Sequence, residues 1–112
     1  MTGLRITQAE RNLWQRRAAV ELVRILQEHR DLPVIAWTVG TAGSVLVGHV
    51  NGLRPAAMAR ASFDAWTVAL AVTQRREYSD LALTCLTAKV RRDNVDIVIR
   101  VDLLLDEDGE RP

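Results

Sequence analysis

The sequence predicts an α+β fold: two layers, a four-stranded sheet with two helices on one face, in the order α-β-β-α-β-β. Three observations carry that prediction. From Val95 to Leu103 every odd position is apolar and most even ones are polar, the period of a strand with one buried face. Just before it stand Asp93 and Asn94, two residue types that tolerate the left-handed backbone angles of a tight two-residue turn. Two earlier segments space their apolar residues by three and four, as helices do when one stripe lies on a sheet.

Taken along the chain, Thr7 followed by Glu10 has the spacing of a capping box and should start the first helix. Trp14, Ala18, Leu22, Ile25, Leu26 and His29 trace its apolar stripe, with Arg16, Arg17, Glu21, Arg24, Gln27 and Glu28 largely off it. Arg17 and Glu21, like Arg24 and Glu28, are four apart and are expected to pair along the helix surface. Asp31-Leu32-Pro33 ends the helix, because the residue before a proline is driven out of the helical region.

Val34–Val39 and Val45–Val50 read as a short hairpin with Ala42-Gly43 as its loop, so that Val39 faces Leu46, Trp37 faces Gly48 and Ile35 faces Val50. Its other face, with Val34, Ala36, Thr38, Val45, Val47 and His49, is also largely apolar and calls for a cover. Asn51-Gly52 marks a turn, and Pro55 suits the first turn of a second helix. Ala59, Phe63, Trp66, Leu70 and Thr73 form that helix's main stripe, while Met58, Ala61, Ala65, Val68, Ala69 and Val72 widen it. Apolar surface on two sides implies two contacts: the sheet, and either the first helix or a second copy. Gln74-Arg75-Arg76 is expected to close this helix with the positive charge its carbonyl end favours.

A long hairpin from Leu83 to Leu105 should end the fold. With Asp93-Asn94 as the loop, Arg92 faces Val95, Val90 faces Ile97, Ala88 faces Ile99, Leu86 faces Val101 and Thr84 faces Leu103. Arg91 then opposes Asp96 and Thr87 opposes Arg100 on the other face. The most regular strand, 95–103, belongs inside the sheet. Residues 1–106 are expected to form one α+β domain and 107–112 a disordered acidic tail.

Composition limits function. The chain has 112 residues, 48% hydrophobic and 26% charged, with a formal charge of +1 and so no strong overall field for nucleic acid or anionic membrane. The longest apolar stretch, 55–72, is interrupted by Arg60 and Asp64 and is unsuited to spanning a membrane. Cys85 is the sole cysteine, which excludes an intrachain disulfide and fits a cytoplasmic location.

Candidate chemistry is sparse. Gly40-Thr41-Ala42-Gly43-Ser44 superficially resembles a phosphate loop, but it has no lysine and a strand follows it in place of a helix. His29 and His49 have no acid, cysteine or second histidine at ligand spacing. Cys85 falls on the polar side of its strand near Asp102, without a basic neighbour to activate it. Asp64 pairs most simply with Arg60, four residues earlier. No catalytic residue, metal or cofactor is therefore expected, and the chain does not read as an enzyme.

Two binding surfaces remain. A protein-contact surface, for a homodimer or a protein partner, would centre on Trp37, Val47 and His49 of the first hairpin and Trp66 of the second helix. The alternative is a nucleic-acid contact along the first helix, with Arg11, Arg16, Arg17 and Arg24 on phosphates and Trp14 stacked on a base.

The segments Leu32-Pro33-Val34-Ile35-Ala36-Trp37-Thr38-Val39-Gly40, Gly48-His49-Val50-Asn51-Gly52 and Ala61-Ser62-Phe63-Asp64-Ala65-Trp66 resemble small actinobacterial proteins of mobile-element type. Fourteen arginines against the single Lys89 fit the same high-GC origin. That resemblance implies no activity. In element order the chain is also similar to the roadblock/LC7 family of dimeric scaffold proteins, although it has two strands after its second helix where that family has three. The likeness is one of topology and implies a scaffold-like role only by analogy.

Overall fold

The computed structural model describes residues 6–53 and 55–104; the acidic tail at 107–112 lies outside them. The α+β class holds, with both helices on one face of the sheet, but the sheet has five strands in place of four. Helix α1 spans Gln8–Glu28, strands β1 Ala36–Val39 and β2 Val45–His49 follow, and helix α2 covers Ala56–Ala69. Three strands come after it: β3 Gln74–Ser79, β4 Leu83–Arg92 and β5 Val95–Leu104. The sheet order is β1-β2-β5-β4-β3, antiparallel throughout except for the parallel β2–β5 pair.

The extra strand corrects the reading of 74–76 as the end of the second helix. Leu70 caps α2, and Ala71 turns the chain with a φ of 54°, which a helix cannot continue through. β3 escapes a hydrophobic pattern because it is an edge strand exposed along its whole length. Its helix-facing side chains reach α2 through charge: Arg75 donates to Asp64 at 2.8 Å and lies 5.4 Å from the Phe63 ring centre, and Arg60 pairs with Glu77 at 3.6 Å. Asp64 therefore pairs with β3, and not with Arg60 of its own helix. A short charged edge also discourages pairing with a foreign strand.

The closing hairpin matches the predicted register at every pair, from Arg92 opposite Val95 to Thr84 opposite Leu103. Asp93 and Asn94 have φ of 49° and 66°, the left-handed angles that a primed turn needs at both central positions. Arg91 donates to Asp96 at 2.9 Å across the strands. β5 sits in the middle of the sheet, where its odd residues Val95, Ile97, Ile99, Val101 and Leu103 are all buried.

In the first hairpin Val39 faces Leu46 and Trp37 faces Gly48 as read from sequence. The loop is wider than two residues, with bends over 41–44 closed by Gly40 N–H donating to the Val45 carbonyl at 2.9 Å. Ile35 stays outside the ladder, and Val50 donates instead to Arg100 at 2.9 Å, extending the β2–β5 pairing. Gly48 is favoured by packing: a Cβ there would lie 2.8 Å from Ile35 Cδ1 and 3.1 Å from both Ile99 Cδ1 and Trp37 Cη2. Gly52 is required by backbone, because a Cβ would collide with the Asp102 carbonyl.

α1 begins at the predicted capping box, Thr7 N–H donating to Glu10 and Glu10 N–H to the Thr7 hydroxyl. It docks on β1, β2 and β5 through Ala18 and Ile25, with Leu22 packed against the same cluster. Leu26, expected on the stripe, is exposed. Glu21, expected on the outer surface opposite Arg17, is buried at 2% exposure and faces the β4–β5 turn. Arg24 donates to Glu21 Oε1 and to Asp93, both at 2.9 Å. Arg92 Nε lies 3.4 Å from Glu21 Oε2, an oxygen that accepts no hydrogen bond, and Arg92 Nη2 donates to Glu28 at 3.3 Å. The pairs Arg17–Glu21 and Arg24–Glu28 are thus replaced by links that tie α1 to the hairpin tip.

Candidate functional site

Trp37, Val47, His49 and Trp66 do not share a surface. β1 and β2 alternate, and among the described residues the sheet has one covered and one bare side. Trp37, opposite Gly48, points to the helix layer, where its ring lies 5.5 Å from Trp66 at 77°, edge to face. Trp66 is 2% exposed, donates its indole N–H to the Pro33 carbonyl at 2.8 Å and has His29 against it at 6.3 Å. For these two tryptophans the apolar surface that the sequence left open is core of the chain itself. Val47 and His49 lie on the bare side.

That bare side is the candidate site. Its residues line up in rows set by the strand pairing. One row runs Ala36, His49, Arg100, Thr87, Arg76; the next runs Thr38, Val47, Val98, Lys89, Gln74. Val45, Asp96 and Arg91 form a third row, and Asp102, Cys85 and Tyr78 a fourth. Val45, Val47 and Val98 are half-buried neighbours on β2 and β5, so the middle of the face is apolar. Around them stand Thr38, His49, Asp96, Arg91 and Arg100, a polar border.

Toward β3 the face becomes cationic. Arg91 is answered by Asp96 at 2.9 Å and Arg100 by Asp102 at 3.7 Å, whereas Arg76 and Lys89 make no ion pair among the described residues. They border a shallow depression of about 380 Å³, lined also by Gln74, Thr87, Ala88 and Val98. Arg76 cannot be placed on this face until 74–79 is known to be a strand, whereas the register that sets Arg91 against Asp96 and Thr87 against Arg100 already puts Lys89 opposite Val98. Val98 was legible as a strand residue but was given no role, because the cover of its face was unknown.

The three groups weighed for chemistry, His49, Cys85 and Asp64, stand apart. His49 and Cys85 occupy different rows of the bare face, and the Cys85 sulfur has the Thr87 hydroxyl 3.9 Å away. Asp64 is on the opposite side of the sheet, held by Arg75. Among the described residues no three His, Cys, Asp or Glu side chains gather to hold a metal, and no helix is long and apolar enough to cross a membrane.

Along α1, Arg11, Arg16 and Arg17 are exposed and make no ion pair among the described residues. Arg24 is drawn into the contacts with Glu21 and Asp93, and Trp14 is half-buried. The four arginines are therefore not one uniform row. Leu13, Val20 and Val23 are exposed on the same helix. Comparison with protein-family models, with curated proteins and with solved structures finds no match, so function has to be argued from the chemistry of this face.

Proposed function

We propose that the chain is a non-enzymatic protein-contact module that self-associates through the bare side of its sheet. One observation carries the reading: Val45, Val47 and Val98 form an apolar centre with a polar border, the anatomy of an interface. Five strands about 4.8 Å apart and roughly 13–33 Å long offer a face on the order of 600 Å². A standard interface takes about 800 Å² from each partner, so the face is of the right scale. His49 lies at the border and Val47 at the centre. A cytoplasmic setting suits a surface that keeps the thiol of Cys85 half-exposed.

Light scattering on the purified chain tests this directly. The expected mass is twice 12.5 kDa, falling to a single copy in Val47→Asp/Val98→Asp with its circular dichroism unchanged. A monomer at high protein concentration overturns the reading. Arg16 and Arg17, exposed and without an ion pair among the described residues, favour the rival nucleic-acid reading, which forecasts a different result: binding that weakens steeply with salt and is lost in Arg16→Ala/Arg17→Ala.

A further inference from the structure

The cationic depression lies over β3 and β4, to one side of the valine centre of the bare face, and shares only Val98 with it. Strand pairing sets Gln74 opposite Lys89 and Arg76 opposite Thr87, so these four residues form the corners of a rectangle on one face of two neighbouring strands. Arg76 and Lys89 stand on its diagonal, roughly 7–8 Å apart at the backbone, and both side chains are long enough to meet over its middle. Each corner can donate to an oxyanion: a planar guanidinium fork, an ammonium, a hydroxyl and an amide. Protection of the sheet edge accounts for charge on β3 but not for Lys89, which is exposed on an inner strand. Tyr78 is the next residue of β3 on the same face, at 67% exposure. We propose that this corner of the sheet binds a nucleoside phosphate, with the phosphoryl group held between Arg76 and Lys89 and the base stacked on Tyr78.

Spacing and charge both fit that ligand. Tyr78 lies two residues beyond Arg76, roughly 7 Å along the strand. One sugar separates phosphate from base in a nucleotide, so a phosphate over the diagonal of the rectangle leaves the base within reach of the phenol ring. The depression, about 380 Å³, falls within the usual range for small-ligand sites. Among the described residues its walls carry no carboxylate, and two acids elsewhere on the face are already taken, Asp96 by Arg91 at 2.9 Å and Asp102 by Arg100 at 3.7 Å. A phosphate dianion therefore meets two cations without an opposing acid in the walls. The flat side of a tyrosine accepts any base, so the site should take nucleotides with little preference among them. Two exposed cations hold a bare phosphate only weakly, and stacking should add roughly tenfold in affinity.

Amide chemical shifts of the full chain, followed during titration with ribose phosphate, AMP and a short oligoadenylate, test this site. AMP is expected to shift the amides of Arg76, Tyr78, Thr87 and Lys89 at millimolar concentration and to bind roughly tenfold more tightly than ribose phosphate. Tyr78→Ala should remove that advantage and leave the affinity for ribose phosphate unchanged. Arg76→Ala/Lys89→Ala should abolish the shifts with every ligand; all three substituted residues are exposed, so circular dichroism should stay that of the parent. No shift with AMP, or shifts that persist in Arg76→Ala/Lys89→Ala, overturns the proposal. So does equal affinity for AMP and ribose phosphate, which leaves Tyr78 without a base. A loss of the AMP shifts in Arg16→Ala/Arg17→Ala overturns it too, by assigning binding to α1. Oligoadenylate that binds far more tightly than AMP supports the site with a single strand as the source of the phosphate; affinity no greater than that of AMP supports it with the free nucleotide. The mass from light scattering is read on the same samples, so failure of self-association and failure of nucleotide binding are distinct results.

Discussion

The two sides of β5 are unlike: one is core and the other is open. On one side Val95, Ile97, Ile99, Val101 and Leu103 are at most 4% exposed under the helices; on the other, Asp96 and Val98 are half-buried and Arg100, Asp102 and Leu104 are exposed. Ten residues thus carry a finished core and an unfinished surface with the same backbone hydrogen bonds. The comparison separates what holds the fold from what remains to be used: cohesion comes from the covered side, and recognition from the bare one.

The largest expected effect tests that separation. Ile99→Ala removes buried methyl groups between α2 and β2 and should cost about 3–4 kcal/mol, read from urea denaturation. Val98→Ala, one residue away, should cost less than about 1 kcal/mol in a dilute sample. Equal losses would mean that the bare side is covered in the folded species in solution. Raising the protein concentration sharpens the comparison further, since only the Val98 cost should grow if copies meet there.

Next in size is the anchor between α1 and the hairpin tip. Glu21→Ala leaves Arg92 and Arg24 without their shared carboxylate and should cost about 2–3 kcal/mol. Glu21→Gln keeps the volume but not the charge, and should fall between that variant and the parent in a denaturation series. Gly48→Ala follows at about 1–2 kcal/mol, because the added Cβ meets the ends of Ile35, Ile99 and Trp37 side chains, which can shift, and not backbone. A neutral result at Gly48 would mean that the Ile35 contact gives way freely.

The same contrast explains what could be read in advance. β5 announced itself because burial on one side alone imposes a period of two, and its turn residues fixed the register of β4 against it. α1 and α2 announced themselves through their stripes. β3 was hidden because neither of its sides is buried: Gln74, Arg76 and Tyr78 face solvent, and Arg75 and Glu77 are held by Asp64 and Arg60. Charge pairing leaves no period in a sequence. Glu21 was misplaced for a related reason, since a glutamate beside Arg17 and Arg24 looks like surface until the hairpin tip arrives over it with Arg92. Trp37 and Trp66 read as apolar surface in need of a partner, and each supplied the other.

The smallest effect probes the one place where both sides of the sheet are set at once, the turn at Asp93-Asn94. A shift of one residue there would exchange the covered and bare faces of one arm. Asn94, at a φ of 66°, holds a conformation that glycine adopts at no steric cost, and asparagine at little. Asn94→Gly should therefore change stability by no more than about 0.5 kcal/mol in either direction, the relief of the turn offset by a freer unfolded chain. Asn94→Val, with a branched side chain that resists this angle, should cost about 1–2 kcal/mol. Asp93 should not be used for this comparison, because it also accepts from Arg24 and would report the α1 anchor as well as the turn. If Asn94→Val were as harmless as Asn94→Gly, the ladder itself would be holding the register, through the alternation of β5 against β4 rather than through the two residues that join them.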